Sequence, residues 1–252
     1  MAQIDSGNGE YGKLKVGVVA FKIVALNPTL EELSKLGIDL QNEPQYLSTG
    51  DNNEQKIRLD FWLQSDLLEN LTKVSFFLEN KLVVSKNGKP QFINHYGNNT
   101  YADTIEEANS RVDNNGNSYF KLDGARQAYV GEALLIDFLK AWLDIRRNNK
   151  IILDNFNALF DGNVSELREL INNFNNLKVQ AYLYVNDAGY QTVYNRFFLN
   201  GANPRKNTMW EKYFEKNPFE NFYGVELKDW DNESFTKTQN INTSIDTSKN
   251  PF

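Results

Sequence analysis

Four tyrosines and one arginine occupy positions of one parity in two neighbouring stretches of the chain. If these stretches form a hairpin whose aliphatic residues face a core, the opposite face carries Tyr182, Tyr184, Tyr190, Tyr194 and Arg196. Flat rings beside a guanidinium stack on unpaired bases, which contributes about 1 to 3 kcal/mol per base without reading their sequence. The pattern therefore predicts a platform for a single-stranded nucleic acid.

The same tyrosines also suit a buried layer. Tyrosine is an ordinary strand residue, and helices that covered this face would bury the rings with their hydroxyls hydrogen-bonded. The sequence alone leaves both alternatives open.

Other basic and aromatic residues are candidates for the same interface. Trp62 shares the polar side of an alternating stretch with Arg58, although a neighbouring loop would also bury such a ring. Two lysines flank the Asn87-Gly88 step, where they could clamp a phosphate chain. The predicted nucleic-acid-binding residues are Trp62, Lys86, Lys89, Arg126, Tyr182, Tyr184, Tyr190, Tyr194 and Arg196.

Most catalytic and metal chemistry lacks its residues in this chain. The 252 residues contain no cysteine and a single histidine, His95. Zinc sites built on Cys and His and thiol catalysis are therefore excluded. The sequence has no Gly-x-Ser-x-Gly turn, no Walker loop and no dinucleotide-binding glycine pattern. We expect a protein that is not an enzyme and uses no cofactor or metal, with His95 in a structural role.

The composition predicts a folded, acidic protein. Hydrophobic residues make up 40% of the chain, and 27 Lys and Arg against 33 Asp and Glu give a formal net charge of -6. Taken alone, that charge argues against nucleic acid, so a binding face would need locally concentrated bases. Because the sequence shows neither a signal peptide nor a membrane-spanning stretch, we expect a cytoplasmic location.

Strand and helix signals alternate along the chain and predict an α+β fold. Lys13 to Leu26 is typical of a strand, and a Thr29/Glu32 capping box predicts a helix from Leu30 to Leu36, stopped by Gly37. Period-two alternation predicts a half-buried strand over residues 57–64. Val74 to Val84, the Asn87-Gly88 turn and Gln91 to Tyr96 predict antiparallel strands joined by a tight hairpin.

The second half predicts two helices and a hairpin. The longest helix is expected over Gly124 to Arg147, with a stripe of Val130, Leu134, Phe138, Ala141, Trp142 and Ile145 facing the core and Glu132 facing solvent. A second helix is expected from Asn163 through Phe174. The hairpin joins Lys178 to Val185 with Tyr190 to Leu199. We expect a flexible arm over residues 1–12, a domain over 13–228 and a polar tail over 229–252.

Several segments together resemble a known family. They are Phe21-Lys-Ile-Val-Ala-Leu-Asn-Pro-Thr, Lys86-Asn-Gly-Lys-Pro-Gln-Phe-Ile-Asn, Ala125-Arg-Gln-Ala-Tyr-Val-Gly-Glu-Ala-Leu-Leu, Phe160-Asp-Gly-Asn-Val-Ser-Glu-Leu and Tyr190-Gln-Thr-Val-Tyr-Asn-Arg-Phe-Phe. Over residues 13–225 the chain resembles the single-stranded DNA-binding proteins of tailed bacteriophages. The resemblance implies an OB-like antiparallel β-barrel with helical insertions. It also implies binding of replication or recombination intermediates, without a cofactor, in the infected host cell.

The chain ends in Pro251-Phe252, which is similar to the terminus by which bacterial single-strand binders dock replication partners. Those tails are strongly acidic, whereas Ser244-Ile-Asp-Thr-Ser-Lys-Asn precedes the dipeptide in this chain. The similarity implies that replication or recombination proteins bind Pro251 and Phe252.

A function from another class fits the same composition. Tyr, Trp and Arg are enriched at protein interfaces, so the aromatic face would also suit a phage virion structural or packaged protein that assembles through it. Added salt separates the two, because counterion release weakens DNA binding steeply and leaves an apolar contact almost unchanged.

Overall fold

The computed structural model describes residues 17–94, 97–112, 115–116, 125–143, 156–185 and 191–201, and the single positions 209 and 212. The strands are β1 (Gly17–Leu26), β2 (Leu47–Thr49), β3 (Gln55–Gln64), β4 (Thr72–Leu82), β5 (Gln91–Ile93), β6 (Asn99–Tyr101), β7 (Arg126–Gln127), β8 (Tyr129–Val130), β9 (Lys178–Val185), β10 (Gln191–Val193) and β11 (Leu199–Asn200). The helices are α1 (Leu30–Lys35), α2 (Ile105–Ser110), α3 (Glu132–Trp142), α4 (Ser165–Asn173) and a 3₁₀ helix at Phe156–Asp161. The fold is α+β, as the sequence predicts.

One antiparallel sheet dominates the described structure. Its strand order is β10-β9-β1-β3-β4-β8, with β2 added to β3 and β11 added to β9. A smaller sheet has the order β6-β5-β7. The large sheet is open, so the closed barrel implied by the resemblance is not confirmed. No helix in the described part of the chain has the length and apolar character needed to cross a membrane.

The core lies on one face of the large sheet, under α3. Alternate residues of β3 and β4 point inward, as period two predicts, and their phenylalanines meet the helix. The Phe138 ring of α3 lies 4.9 Å from Phe61 and 5.1 Å from Phe76. Phe198 closes the group at 4.9 Å from Phe138. These rings fix how α3 sits on the sheet.

Asn27 connects β1 to α1 and to β3. Its φ of 43° turns the chain out of the strand, and its side chain accepts from the Asp60 backbone N–H at 2.7 Å and donates to the Arg58 carbonyl at 2.9 Å. Arg168 of α4 donates to the carbonyls of Leu26 (3.1 Å) and Asn27 (2.6 Å). Two helices and two strands therefore meet at this residue.

Helix α1 has the predicted capping box. Thr29 accepts from the Glu32 backbone N–H, and the Glu32 carboxylate accepts from the Thr29 N–H. Helix α1 ends at Lys35, and Gly37 follows it with a φ of 76°.

The longest helix is shorter than predicted. It starts at Glu132, because residues 126–127 and 129–130 form strands and Gly131 has a φ of 84°. A Cβ at Gly131 would lie 1.9 Å from the Phe77 carbonyl oxygen, so the backbones are too close there for any side chain. The predicted stripe is wrong in part, since Leu134 is exposed and Val130 belongs to a strand. Glu132 was expected in solvent and is buried.

The two hairpins also differ from their predictions. The Asn87-Gly88 turn forms, with Gly88 at a φ of 79°, but the strand after it ends at Ile93 and belongs to the smaller sheet. The single strand predicted over 190–199 is broken into β10 and β11. Seven residues separate Thr192 from Leu199, whereas four separate their β9 partners Tyr184 and Gln180. The segment is therefore three residues longer than its partner on β9. Because three is an odd number, odd-numbered residues face the core in β10 and the opposite side of the sheet in β11.

Replacing Arg168 by Met is expected to lower the free energy of unfolding by about 1 to 3 kcal/mol, because carbonyls of Leu26 and Asn27 lose their donor. Denaturant unfolding measures the change. The control is Lys35→Met, which removes an exposed Lys35–Glu31 pair and is expected to change stability by less than about 0.5 kcal/mol. Equal losses in both variants would contradict a structural role for Arg168.

Candidate nucleic-acid interface

The predicted tyrosine platform is a small apolar cluster on the outer face of β9. Tyr182 packs with Val18, Leu199, Phe197, Tyr184 and Tyr194, which we call the tyrosine cluster. Tyr184 and Tyr194 are half-buried, with ring centroids 6.4 Å apart in an edge-to-face arrangement. The sequence prediction that the tyrosines share a face opposite the aliphatic residues of β9 agrees with this packing.

Exposure differs sharply among the predicted platform residues. Tyr182 is 3% exposed, so its ring has no free face for a base in this structure, and strand and loop residues of the tyrosine cluster bury it. Arg196 is exposed. Tyr190 lies outside the described residues, as do His95, Pro251 and Phe252, the arm over 1–12 and the tail over 229–252. The parity reversal places Phe198 in the main core and Leu199 in the tyrosine cluster.

Arg126 is paired with groups of its own chain, although its side chain is 40% exposed. Its guanidinium forms a two-pronged ion pair with Glu132, which is 1% exposed and also accepts from the Tyr129 backbone N–H at 2.9 Å. It also lies 4.6 Å from the Phe156 ring centroid and 5.6 Å from that of Tyr129. These contacts stabilise the start of α3, and a phosphate would have to compete with Glu132 for this guanidinium.

The two predicted hairpin lysines have different surroundings. Lys89 bonds Asp103 at 2.7 Å and lies 3.8 Å from Glu107. The Asp103 hydrogen bond raises the pKa of Lys89. Lys86 is exposed in the turn. Of this pair, Lys86 is therefore the better placed for a ligand.

A second group of aromatic and basic residues lies on the outer surface of β3 and β4. We call it the β3–β4 outer face, and its members are Lys56, Arg58, Asp60, Trp62, Lys73, Ser75, Phe77 and Glu79. In the antiparallel register Arg58 is opposite Phe77, Asp60 is opposite Ser75 and Trp62 is opposite Lys73. Two of these pairs, Arg58 with Phe77 and Lys73 with Trp62, thus place a cation opposite an aromatic ring.

Arg58 lies over one ring and is opposite a second ring in the strand register. Its guanidinium carbon is 5.5 Å from the Tyr46 ring centroid, and Phe77 is its neighbour across the strands. The Tyr46 hydroxyl donates to the Pro28 carbonyl at 2.8 Å. Burial, helped by the Asp60 charge, raises the pKa of Tyr46 to about 12, so the hydroxyl stays protonated at neutral pH. The ring is thereby fixed beneath the guanidinium.

Lys73 and Trp62 form the matching pair at the other end of the face. The Lys73 ammonium lies 5.6 Å from the Trp62 ring centroid. Trp62 is 8% exposed, and its indole N–H has no hydrogen-bond partner among the described residues. The predicted candidate Trp62 is therefore covered on this face, as its alternative allowed, and Lys73 is the group that reaches solvent.

Phe77 is the most exposed large apolar side chain on this face. It is 64% exposed, although its neighbours Phe76 and Leu78 on the strand are buried. A ring on a well-paired strand can accept a stacked base with little loss of conformational freedom. The sequence analysis missed it, yet the signal was present, because Lys73, Ser75, Phe77 and Glu79 alternate with the core residues and Phe77 is the one apolar member.

The charges on this face are partly paired. Lys56 lies 2.9 Å from Glu79 and 3.7 Å from Glu54. Asp60 pairs with Arg58 at 3.2 Å and with Lys73 at 2.7 Å. Three cations therefore meet three acids, two on the face and Glu54 beside it, and these charges balance. The described residues hold no group of three or more His, Asp or Glu that could bind a metal ion.

Comparisons with known proteins add no relative to this description. No family model, no curated protein and no solved structure matches the chain.

Replacing Tyr182 by Ala is expected to lower the free energy of unfolding by about 3 to 5 kcal/mol, because a buried aromatic ring is lost. Replacing the exposed Arg196 by Gln is expected to change it by less than about 0.5 kcal/mol. Chemical denaturation of both variants measures the difference. If Tyr182→Ala is as stable as the parent protein, the ring is not part of the packed structure. That result would favour the predicted stacking platform for nucleic acid.

Proposed function

We propose that this chain is a single-stranded DNA-binding protein without enzymatic activity, and that the β3–β4 outer face carries the DNA. The observation that supports this most directly is Phe77, a largely exposed ring opposite Arg58 on a strand that pairs with β3. A base stacked on Phe77 would place its phosphates near Arg58 and Lys73. Stacking of this kind tolerates any base sequence.

We also propose that the large sheet is the partly open barrel of an OB fold. Strands β1, β3 and β4 are neighbours in the sheet and antiparallel, and after the helices β9 returns to pair with β1. Just after β10, Asn195 donates to the Ser75 carbonyl of β4 at 3.4 Å. In an OB barrel with this strand order, β3 and β4 would be the second and third strands, whose outer face binds oligonucleotides.

The sequence candidates take a secondary place in this proposal. Arg196 and Lys86 are exposed and would contact phosphates beyond the central face. Tyr184 and Tyr194 would support them from the half-buried tyrosine cluster. The phage setting, the replication or recombination partners and the docking role of Pro251 and Phe252 are proposals on the resemblance alone.

Assembly as a virion protein is the second candidate. Exposed apolar side chains continue from Phe77 to Leu82 and Val84 along the end of β4, which would suit a contact with another protein. Such a contact would bury Phe77 and depend little on salt. DNA binding through the same ring would still weaken measurably as salt is added, through the contacts of the exposed Arg196 and Lys86 with phosphates.

Replacing Phe77 by Ala is expected to weaken binding of a fluorescent oligothymidine by about 1 to 3 kcal/mol, because one stacking surface is removed. The fold is expected to survive, since the ring is mostly in solvent. Fluorescence anisotropy titration at fixed salt measures the affinity, and thermal unfolding checks the fold.

The matched control is Leu134→Ala, which removes another exposed apolar side chain, on α3. Its oligothymidine affinity is expected to equal that of the parent protein. If the parent binds no oligothymidine, or if Phe77→Ala binds as the parent does, this face is not the DNA-binding site. A Phe77→Ala variant that only loses self-association would favour the assembly function.

A further inference from the structure

One buried carboxylate connects the two cation–ring pairs of the β3–β4 outer face. Asp60 is 2% exposed, and its two oxygens face different cations. Oδ1 lies 3.2 Å from Arg58 Nε, an ion-pair distance without a hydrogen bond, and Oδ2 accepts from Lys73 Nζ at 2.7 Å. Arg58 lies over Tyr46 and Lys73 over Trp62. The order across the face is therefore ring, cation, acid, cation, ring.

The position of Asp60 is itself held by the fold. The Ser75 hydroxyl donates to Oδ1 at 2.7 Å, and the Asp60 backbone N–H donates to the Asn27 side chain at 2.7 Å. A buried carboxylate with these partners cannot follow a cation that moves away. Arg58 and Lys73 are about one-third exposed, so a phosphate can approach them, but each can pair fully with it only by leaving Asp60.

We infer that Asp60 is a positioning residue that holds Arg58 and Lys73 against their rings and limits their pairing with phosphates. This inference rests on the proposed function. A cation already paired with a carboxylate releases fewer counterions from DNA when it meets a phosphate. The face therefore binds chiefly by stacking, and Asp60 keeps the salt dependence of binding low. Asp60 thus makes the site favour exposed bases over the phosphates of any duplex.

The test compares Asp60→Asn with the parent protein in oligothymidine titrations from 50 to 200 mM salt. Two released cations are expected to raise the salt slope by about 1.4, at about 0.7 for each contact with single-stranded phosphate. The loss of affinity across this range then grows by a factor of about seven. Binding of duplex DNA at 50 mM salt is expected to gain more than binding of oligothymidine. An unchanged slope would overturn the inference.

Glu79→Gln is the matched control, because it removes an equal charge from the same face but affects only Lys56, which keeps Glu54 at 3.7 Å. Its slope is expected to rise by at most about 0.7, a factor of about three across the same range. Equal slopes for Asp60→Asn and Glu79→Gln would mean that net charge alone acts, and would overturn the positioning role.

Lys73→Gln provides a second variant in case Asp60→Asn does not fold. If Asp60 already occupies Lys73, this change is expected to leave the salt slope within about 0.2 of the parent, well short of one full phosphate contact. A decrease by the full value of about 0.7 would show that Lys73 pairs with phosphate in the parent, which overturns the inference.

A readout without DNA separates this inference from the proposed function. The Lys73 side-chain protons are expected to show an upfield ring-current shift from Trp62 by NMR in the parent and in Glu79→Gln, and to lose it in Asp60→Asn. Persistence of the shift in Asp60→Asn overturns the positioning role. If the parent binds no oligothymidine, the proposed function and the salt effect both fail, while the spectrum still decides what holds Lys73.

Discussion

The left-handed turn at Asn27 is the constraint on which both the sheet and its outer face depend. A non-glycine residue with a φ of 43° is strained, and contacts on several sides hold it in place. Its side chain bonds the backbone of β3 at Arg58 and at Asp60, while Arg168 bonds its carbonyl. The same residue thus aligns β1 with β3, orients α1 and fixes the strand that carries the charged centre of the face.

Cations in this protein are held by acids whose positions the fold determines. Arg126 is held by the buried Glu132 at the start of α3, and Arg58 and Lys73 by the buried Asp60 on the sheet. In both places aromatic rings lie 4.6 to 5.6 Å from the cations, within the range of a cation–ring attraction. An acidic chain can in this way keep organised cationic groups on its surface without a large basic patch.

Local patterns predicted the parts of the fold that depend on neighbouring residues. The Thr29/Glu32 capping box, the turn at Gly88 and the inward residues of β3 and β9 are set within a few positions of sequence. The start of α3 was missed because it depends on how close Gly131 lies to the Phe77 backbone. Of the β3–β4 outer face, Trp62 and Arg58 were predicted. Their partners were not, because only strand pairing brings Lys73 and Phe77 opposite them.

The break between β10 and β11 makes the length of this segment more important than its composition. The three surplus residues place Phe198 in the main core and Leu199 in the tyrosine cluster, on opposite sides of the sheet. Inserting or deleting a single residue there would exchange those two environments, whereas a change of two would preserve them. Most surface connections tolerate insertions. This one behaves as a spacer of fixed parity, and alterations of even and odd length would have opposite consequences for the protein.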